Sequence, residues 1–226
     1  MIMKELSVTV DFGDKKIDIG ITDITRMFHM CYYNSRIWEN TFWHGHQILK
    51  CPMDMWIYQE LIWKIKPDYI IETGTFRGGS ALYYAHLFDL QGRGEVITID
   101  VMERPNRPEH DRIYYLIGSS SDAEIFSQVQ SMIGENKKVM VVLDSDHSRD
   151  HVFKEMQLWH SMVSKDSYMI VEDSNVNGYP VRPDFGPGPM EAINDFLQIN
   201  NMFEIDNSQE KFLMTQNPRG YLKKLS

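Results

Sequence analysis

Apolar and polar positions follow two different rhythms along this chain, and the change between them falls near Pro67. After Pro67, short apolar runs bounded by turn residues alternate with stretches of helical spacing. The runs predict strands at Tyr69–Glu72, Glu95–Asp100, Ile113–Ile117, Lys138–Asp144 and Ser167–Glu172. Between and after them, helices are expected at Gly79–Phe88, Ala123–Met132, Asp150–Met162 and Met190–Asn200, the last preceded by a loop from Asp173 to Pro189. Phe203–Asp206 and Phe212–Gln216 read as a terminal hairpin. Before Pro67 the pattern is weaker. A strand-like start, Leu6 to Phe12, leads to an aromatic region from Phe28 to Trp63, within which Met53–Ile65 reads as an amphipathic helix with Asp54 near its start.

Strands alternating with helices imply an α/β fold: a Rossmann-like three-layer sandwich with a mostly parallel sheet, to which the C-terminal hairpin adds an antiparallel edge. The chain is expected to divide into an N-terminal aromatic and helical arm and cap, residues 1–66, and a sheet domain, residues 67–226. Its 226 residues, 42% apolar, suffice for one substantial core. A net charge of −9 argues against a nucleic-acid surface, which needs clustered Lys and Arg. The absence of an apolar run near 18 residues and of a signal-peptide-like start predicts a soluble, cytoplasmic protein with no membrane span. Cys31 and Cys51 are too few and too far apart for a disulfide framework or zinc knuckle. The aromatic N-terminal arm favours a homo-oligomer.

Chemistry concentrates at the predicted strand ends. The stretch Tyr69-Ile-Ile-Glu-Thr-Gly-Thr-Phe-Arg-Gly-Gly-Ser80 is a strand, a tight turn and a helix N-terminus. Its glycines read G-x-x-x-G-G, unlike the dinucleotide fingerprint, and Glu72 precedes the first of them by two residues. A carboxylate there would repel a pyrophosphate but suits a ligand with a cationic amino-acid end, which favours S-adenosylmethionine over NAD. In this reading Glu72, Thr75 and Ser80 belong to the cofactor turn, and Gly74 and Gly78 admit close backbone approach. Asp100 accepts the ribose hydroxyls, and the small loop at Ser119 and Ser120 packs on the adenine. A single strand-end acid is more often a solvated loop residue; the ordered set is what carries the reading.

Asp144-Ser-Asp-His147 and Glu172-Asp173 end two strands expected to be neighbours. Clustered carboxylates repel one another unless a cation neutralises them, and an oxygen-only ligand set of Asp144, Glu172 and Asp173 suits Mg²⁺. Such an ion would hold and acidify a substrate hydroxyl, with His147, three residues after Asp144, placed to take its proton. Asp144 would thus border both cofactor and metal. The blander alternative is that Asp146 and His147 cap the next helix.

At these residues the chain resembles a known group. The blocks PMDMWIYQELIWKIKPDYIIETGTFRGGSALYYA, VLDSDHSRDHV, YMIVEDSNVNG and FGPGPMEAI resemble class I S-adenosylmethionine-dependent methyltransferases of the cephalosporin hydroxylase family, which includes relatives of rhamnosyl O-methyltransferases. The resemblance runs from about Trp43 to the C-terminus. It implies Mg²⁺ on Asp144, Glu172 and Asp173 and cofactor contacts at Glu72, Gly74 and Asp100. Catechol-type O-methyltransferases are more distantly similar; where their pattern has a catalytic Lys and an Asn, this chain has His147 and Asp173.

The expected function is therefore S-adenosylmethionine- and Mg²⁺-dependent methylation of a hydroxyl on a sugar or small natural-product scaffold. Tyr32, Tyr33, Trp38, Trp43, His44 and His46, together with the loop 175–189 and its Arg182, are candidates for a lid and acceptor pocket. Three rivals are weighed: a hydroxylase with iron at His44 and His46, which fall outside the oxygen-rich sheet-end crevice; an NAD(P)-dependent oxidoreductase, disfavoured by the glycine spacing; and a non-catalytic cofactor-binding partner subunit.

Overall fold

The computed structural model describes residues 6–11 and 13–226. Strands β1 (Ser7–Asp11) and β2 (Lys16–Gly20) pair as an isolated antiparallel hairpin that leads into helix α1 (Ile21–Asn34). Phe12, the last residue of the expected first strand, lies outside the described residues. A second small hairpin, β3 (Phe42–Trp43) with β4 (His46–Gln47), precedes α2 (Pro52–Ile65). The expectation of a helix at Met53–Ile65 holds, with Pro52 at its first turn, where a missing N–H costs nothing. Helix α1 was not anticipated. Its aromatic and β-branched residues give a poor helical signature, and of its side chains only His29 is buried.

The remaining elements follow the predicted alternation: β5 (Tyr69–Thr73), α3 (Gly79–Gln91), β6 (Glu95–Asp100), β7 (Ile113–Ile117), α4 (Ala123–Ile133), β8 (Val139–Leu143), α5 (Arg149–Trp159), β9 (Tyr168–Val171), α6 (Pro189–Ile199), β10 (Phe203–Ile205) and β11 (Tyr221–Lys224). The main sheet has seven strands in the order β10-β11-β9-β8-β5-β6-β7. Strands β9, β8, β5, β6 and β7 are mutually parallel; β11 runs antiparallel to both neighbours. Alternate side chains serve the two faces: Ile70, Met140 and Val142 pack with α2 and α3, whereas Ile71, Val141 and Leu143 pack with α4, α5 and α6. This is a three-layer Rossmann-like sandwich.

Two expectations need correction. The antiparallel partner of β10 is Tyr221–Lys224, not Phe212–Gln216, and it inserts inside the sheet with β10 at the edge. Residues 212–216 instead form an irregular segment whose Thr215 Oγ1 and Gln216 N–H donate to the buried carboxylate of Asp54, at 2.5 and 2.9 Å. Tyr221 OH donates to the same group at 2.8 Å, so α2 anchors the C-terminal segment. Nor is Pro67 a packing boundary. Ile48, Ile57, Tyr58, Leu61, Ile62 and Ile65 share one core with β5 and α3, and Trp43 packs against it. Among the described residues no helix is long and apolar enough to cross a membrane.

The crevice lies at the carboxyl ends of β5, β6, β8 and β9. Two strand ends meet there at Gly74, which has φ +86°; a Cβ on it would fall 1.7 Å from the carbonyl oxygen of Asp144. The close approach this glycine serves is thus chain to chain. Gly74→Ala must displace backbone and should cost at least about 3 kcal/mol in chemical denaturation, whereas Gly92→Ala, with φ +69° but open space around it, should cost about 1 kcal/mol. Equal losses would show that the Gly74–Asp144 contact is not the constraint.

Candidate active site

A cavity of about 620 Å³ opens at this edge. Its floor includes Gly74, Thr75, Ser80, Asp100, Ser120 and Asp144; Asp173 and His147 flank one end. Tyr33 and Trp38 from the arm, and Val176, Arg182 and Phe185 from the 173–189 loop, form the mouth. Trp43, His44 and His46 do not reach it. They cluster with α3, where Trp43 Nε1 donates to His86 Nδ1 at 3.0 Å and the His44 and His86 rings lie 5.0 Å apart. A two-histidine iron site in the crevice is therefore not formed by these residues.

Each residue of the first turn has a definite place. Glu72 lies beneath the turn, wholly buried and outside the cavity wall, with Oε2 accepting from Thr98 Oγ1 at 2.7 Å. Thr75 Oγ1 bonds the same hydroxyl at 2.7 Å. Glu72 thus meets the cavity only through neighbours, Thr75 by way of Thr98, and Ser80. Burial pushes its carboxyl up to about 7, against the pull of Lys50. Gly78 also lies outside the wall; a Cβ there would meet Tyr115 OH at 2.9 Å and Pro108 Cδ at 3.0 Å. Ser119 bonds Ser121 instead of facing the cavity, while Ser120 lines it and lies 3.3 Å from His151 Nε2. Asp100 reaches the cavity with its oxygens already engaged. Its Oδ2 accepts from Phe76 N–H (2.8 Å) and Arg107 Nη2 (3.1 Å), and its Oδ1 accepts from Met102 N–H (2.9 Å).

The second constellation is tighter. His147 sits between two carboxylates: Nε2 is 3.2 Å from Asp144 Oδ1 and Nδ1 is 3.3 Å from Asp173 Oδ2. Ligand atoms of Asp144, His147 and Asp173 all lie within 4.8 Å of one another, close enough to hold one metal ion between them. Burial by itself would make His147 harder to protonate, but Asp173, Asp144 and Glu172 raise it to about 9. The imidazolium thus occupies the place between the acids that suits a cation. Oxygen donors converging on that point fit Mg²⁺. Glu172 takes a different position, behind Asp144 and outside the cavity wall, with Oε1 accepting from Lys50 Nζ at 2.6 Å. Burial and the nearby Asp144 charge raise its carboxyl, whereas for Asp144 the pull of Lys50 and His147 outweighs burial and keeps it ionised.

Lys50, which bonds both acids, escaped the sequence reading. A lysine inside the apolar run Ile48-Leu-Lys-Cys51 is the signal that was available. Gln216 and His151 in the wall were missed as well: His151 stands on α5 within the block VLDSDHSRDHV but reads as part of a helix, and Gln216 as the end of a strand. The mouth is held by a polar link: His29 Nε2, neutral because burial lowers it to about 4, bonds Asn175 Nδ2 at 2.9 Å and ties α1 to the loop.

A family model described as Rhamnosyl O-methyltransferase/CmcI matches residues 35–225. The chain belongs to this family. It is 38% identical over 206 residues to a rhamnosyl O-methyltransferase of Mycobacterium tuberculosis, covering 88% of this chain and 84% of that protein. A rhamnosyl O-methyltransferase of Mycobacterium leprae is 35% identical over 205 residues, with 88% and 90% covered. Among solved structures, the apo form of CmcI superposes with a TM-score of 0.64 at 24% identity, over 83% of this chain and 77% of that one. CmcI with Mg and SAM gives 0.62 at 21% identity, with 83% and 78% covered. Those two likenesses establish the fold, and the family makes the chain an O-methyltransferase.

Glu72 offers a pH test of the buried turn. Its folded value, about 7, lies above the 4.5 of a free side chain, so its contribution to stability is fully present below about pH 4.5 and lost as pH rises through about 7. Relative to wild type, Glu72→Gln should gain about 2–3 kcal/mol between pH 5 and pH 8 in denaturant titrations with chelator. A difference that does not change with pH would mean Glu72 is ionised throughout.

Proposed function

We propose that this protein transfers a methyl group from S-adenosylmethionine to a hydroxyl of a sugar or small natural-product scaffold, with Mg²⁺ as an obligatory partner. The observation that carries the proposal is the meeting, in one cavity, of the Gly74–Ser80 turn, Asp100 and the Asp144–His147–Asp173 group. Relatives named for rhamnosyl O-methylation favour a deoxysugar acceptor. When bound, the donor supplies an electrophilic methyl and the metal a Lewis acid that acidifies the acceptor hydroxyl.

The protein's share of the chemistry is positioning and proton handling. Asp100 and Ser120 are placed for the ribose and adenine portions, and Thr75 and Ser80 for the turn side of the donor. Asp144 and Asp173 would hold the metal in the group that also includes His147; Glu172, whose Oε1 accepts from Lys50 behind Asp144, would join them only by turning its other oxygen toward the cavity. His147 keeps its proton while both flanking carboxylates retain their charge. Neutralising that charge would loosen the hold on this proton; the imidazolium would first release it to water, and the neutral imidazole could then accept the proton that leaves the acceptor hydroxyl. Methyl transfer requires in-line approach and exclusion of water. Tyr33 and Trp38, stacked at 5.5 Å, face Arg182 and Phe185, whose guanidinium lies 4.8 Å over the ring. These surfaces suit the apolar face and hydroxyl edge of a sugar.

Titration calorimetry with S-adenosylmethionine, with and without Mg²⁺, tests the reading directly. Asp144→Ala should lower kcat by at least about 100-fold while leaving donor affinity within about threefold, because it removes metal and proton contacts that matter in the transition state. Asp100→Ala should instead weaken donor binding by about 10- to 100-fold, the worth of one or two charge-assisted hydrogen bonds. Donor binding with no metal effect and no turnover on any hydroxyl acceptor would favour the non-catalytic partner role. Trp38→Ala should raise the acceptor KM by about tenfold with donor affinity unchanged, the cost of losing one stacking surface. An unchanged KM would remove Trp38 from the acceptor pocket.

A further inference from the structure

The reaction as drawn leaves a buried ammonium without a task. Lys50 is 3% exposed, and its Nζ lies 2.5 Å from Asp144 Oδ2 and 2.6 Å from Glu172 Oε1. The backbone around it is fastened on both sides. Ile48 N–H donates to Thr41 O at 3.0 Å, and Cys51 O accepts from Met55 N–H at 3.0 Å as α2 begins. Between them Leu49 has φ +51° and lines the cavity while Lys50 points behind it. A lysine side chain held this firmly, 94 and 122 residues away in sequence from its partners, is a built contact.

The division of oxygens is specific. Lys50 takes Oδ2 of Asp144 and Oε1 of Glu172, while Asp144 Oδ1 and Asp173 Oδ2 face the His147 ring on the cavity side. We propose that Lys50 is a positioning residue for the divalent ion: it holds one oxygen of Asp144 and one of Glu172, turns the others toward the metal position, and serves as the permanent counter-cation of the cluster. The proposal rests on the Mg²⁺ reading above. Three adjacent buried carboxylates with no cation would drive one another apart or take up protons. With Lys50 present, the cluster stays assembled before the metal arrives. Its fixed charge also repels a divalent ion, so the site binds Mg²⁺ more weakly than three unpaired carboxylates would.

The consequence is a trade between two cations that calorimetry can read. Wild type, Lys50→Met, Lys50→Arg and the double variant Lys50→Met/Glu172→Gln are stripped with chelator and scanned with and without MgCl₂. Lys50→Met should melt lower than wild type in chelator, and Mg²⁺ should raise its Tm by about 3–6 °C more than it raises the wild type's. That is the shift tenfold tighter binding produces in a domain of this size. Lys50→Arg keeps the charge and should respond to Mg²⁺ as wild type does. The double variant, with one charge of each sign removed, should melt above Lys50→Met in chelator. Equal Mg²⁺ responses in wild type and Lys50→Met would overturn the proposal and leave Lys50 a packing residue. So would insolubility of both the single and the double variant with and without Mg²⁺. Failure of wild type itself to bind Mg²⁺ in titration calorimetry would instead sink the metal reading on which the proposal stands.

Discussion

Buried negative charge is the problem around which this molecule is arranged. The parallel sheet brings the carboxyl ends of β5, β8 and β9 together, and each delivers an acid to this end of the sheet: Glu72, Asp144, and the Glu172-Asp173 pair. None of these could lie so close without cations among them. Lys50 provides one charge from behind and the His147 imidazolium a second from the front. Glu72, farther back, is partly relieved by holding its proton to higher pH and bonding Thr98.

This arrangement gives each layer of the fold a part in the site. Helix α2 contributes the core face that fixes Lys50 just ahead of it, and through Asp54 it also gathers the segment carrying Gln216 and Asn217. Asn217 Oδ1 then accepts from the Asp173 N–H at 3.0 Å, in a backbone held at φ +52°. That places the Asp173 carboxylate beside His147. On the open side, His29 and Asn175 bring the arm and the loop into contact, so Tyr33 and Arg182 share one mouth.

Much of the architecture was legible because parallel strands buried on both faces must be written as unbroken apolar runs, as in Val139–Leu143 and Tyr168–Val171. Strand β11 was not, since Tyr-Leu-Lys-Lys carries two charges; Lys224 lies in the sheet interior because its ammonium is taken up by the carbonyls of His160 and Val163. The preceding Phe-Leu-Met-Thr-Gln segment looked more strand-like, yet Leu213 at φ +70° breaks it. In the site, acids at strand ends stood out one by one as local features. Lys50 did not, because its meaning lies entirely in partners that only the folded chain brings near. The glycines were recognised as special, but the close approach they permit at Gly74 and Gly78 is to Asp144 and to Tyr115 and Pro108.

The position of β11 couples the sheet edge to the crevice. Strand β11 fills the gap between β9 and β10, and the residues just ahead of it carry Asn217 to Asp173 and Gln216 to the cavity wall. Without β11 the sheet would have an open edge at β9, and without Asn217 just ahead of it the Asp173 N–H would lose its acceptor. The strand that closes the sheet and the residue that orients an acid of the crevice are thus neighbours in one short stretch, so damage to that edge would be felt in the crevice.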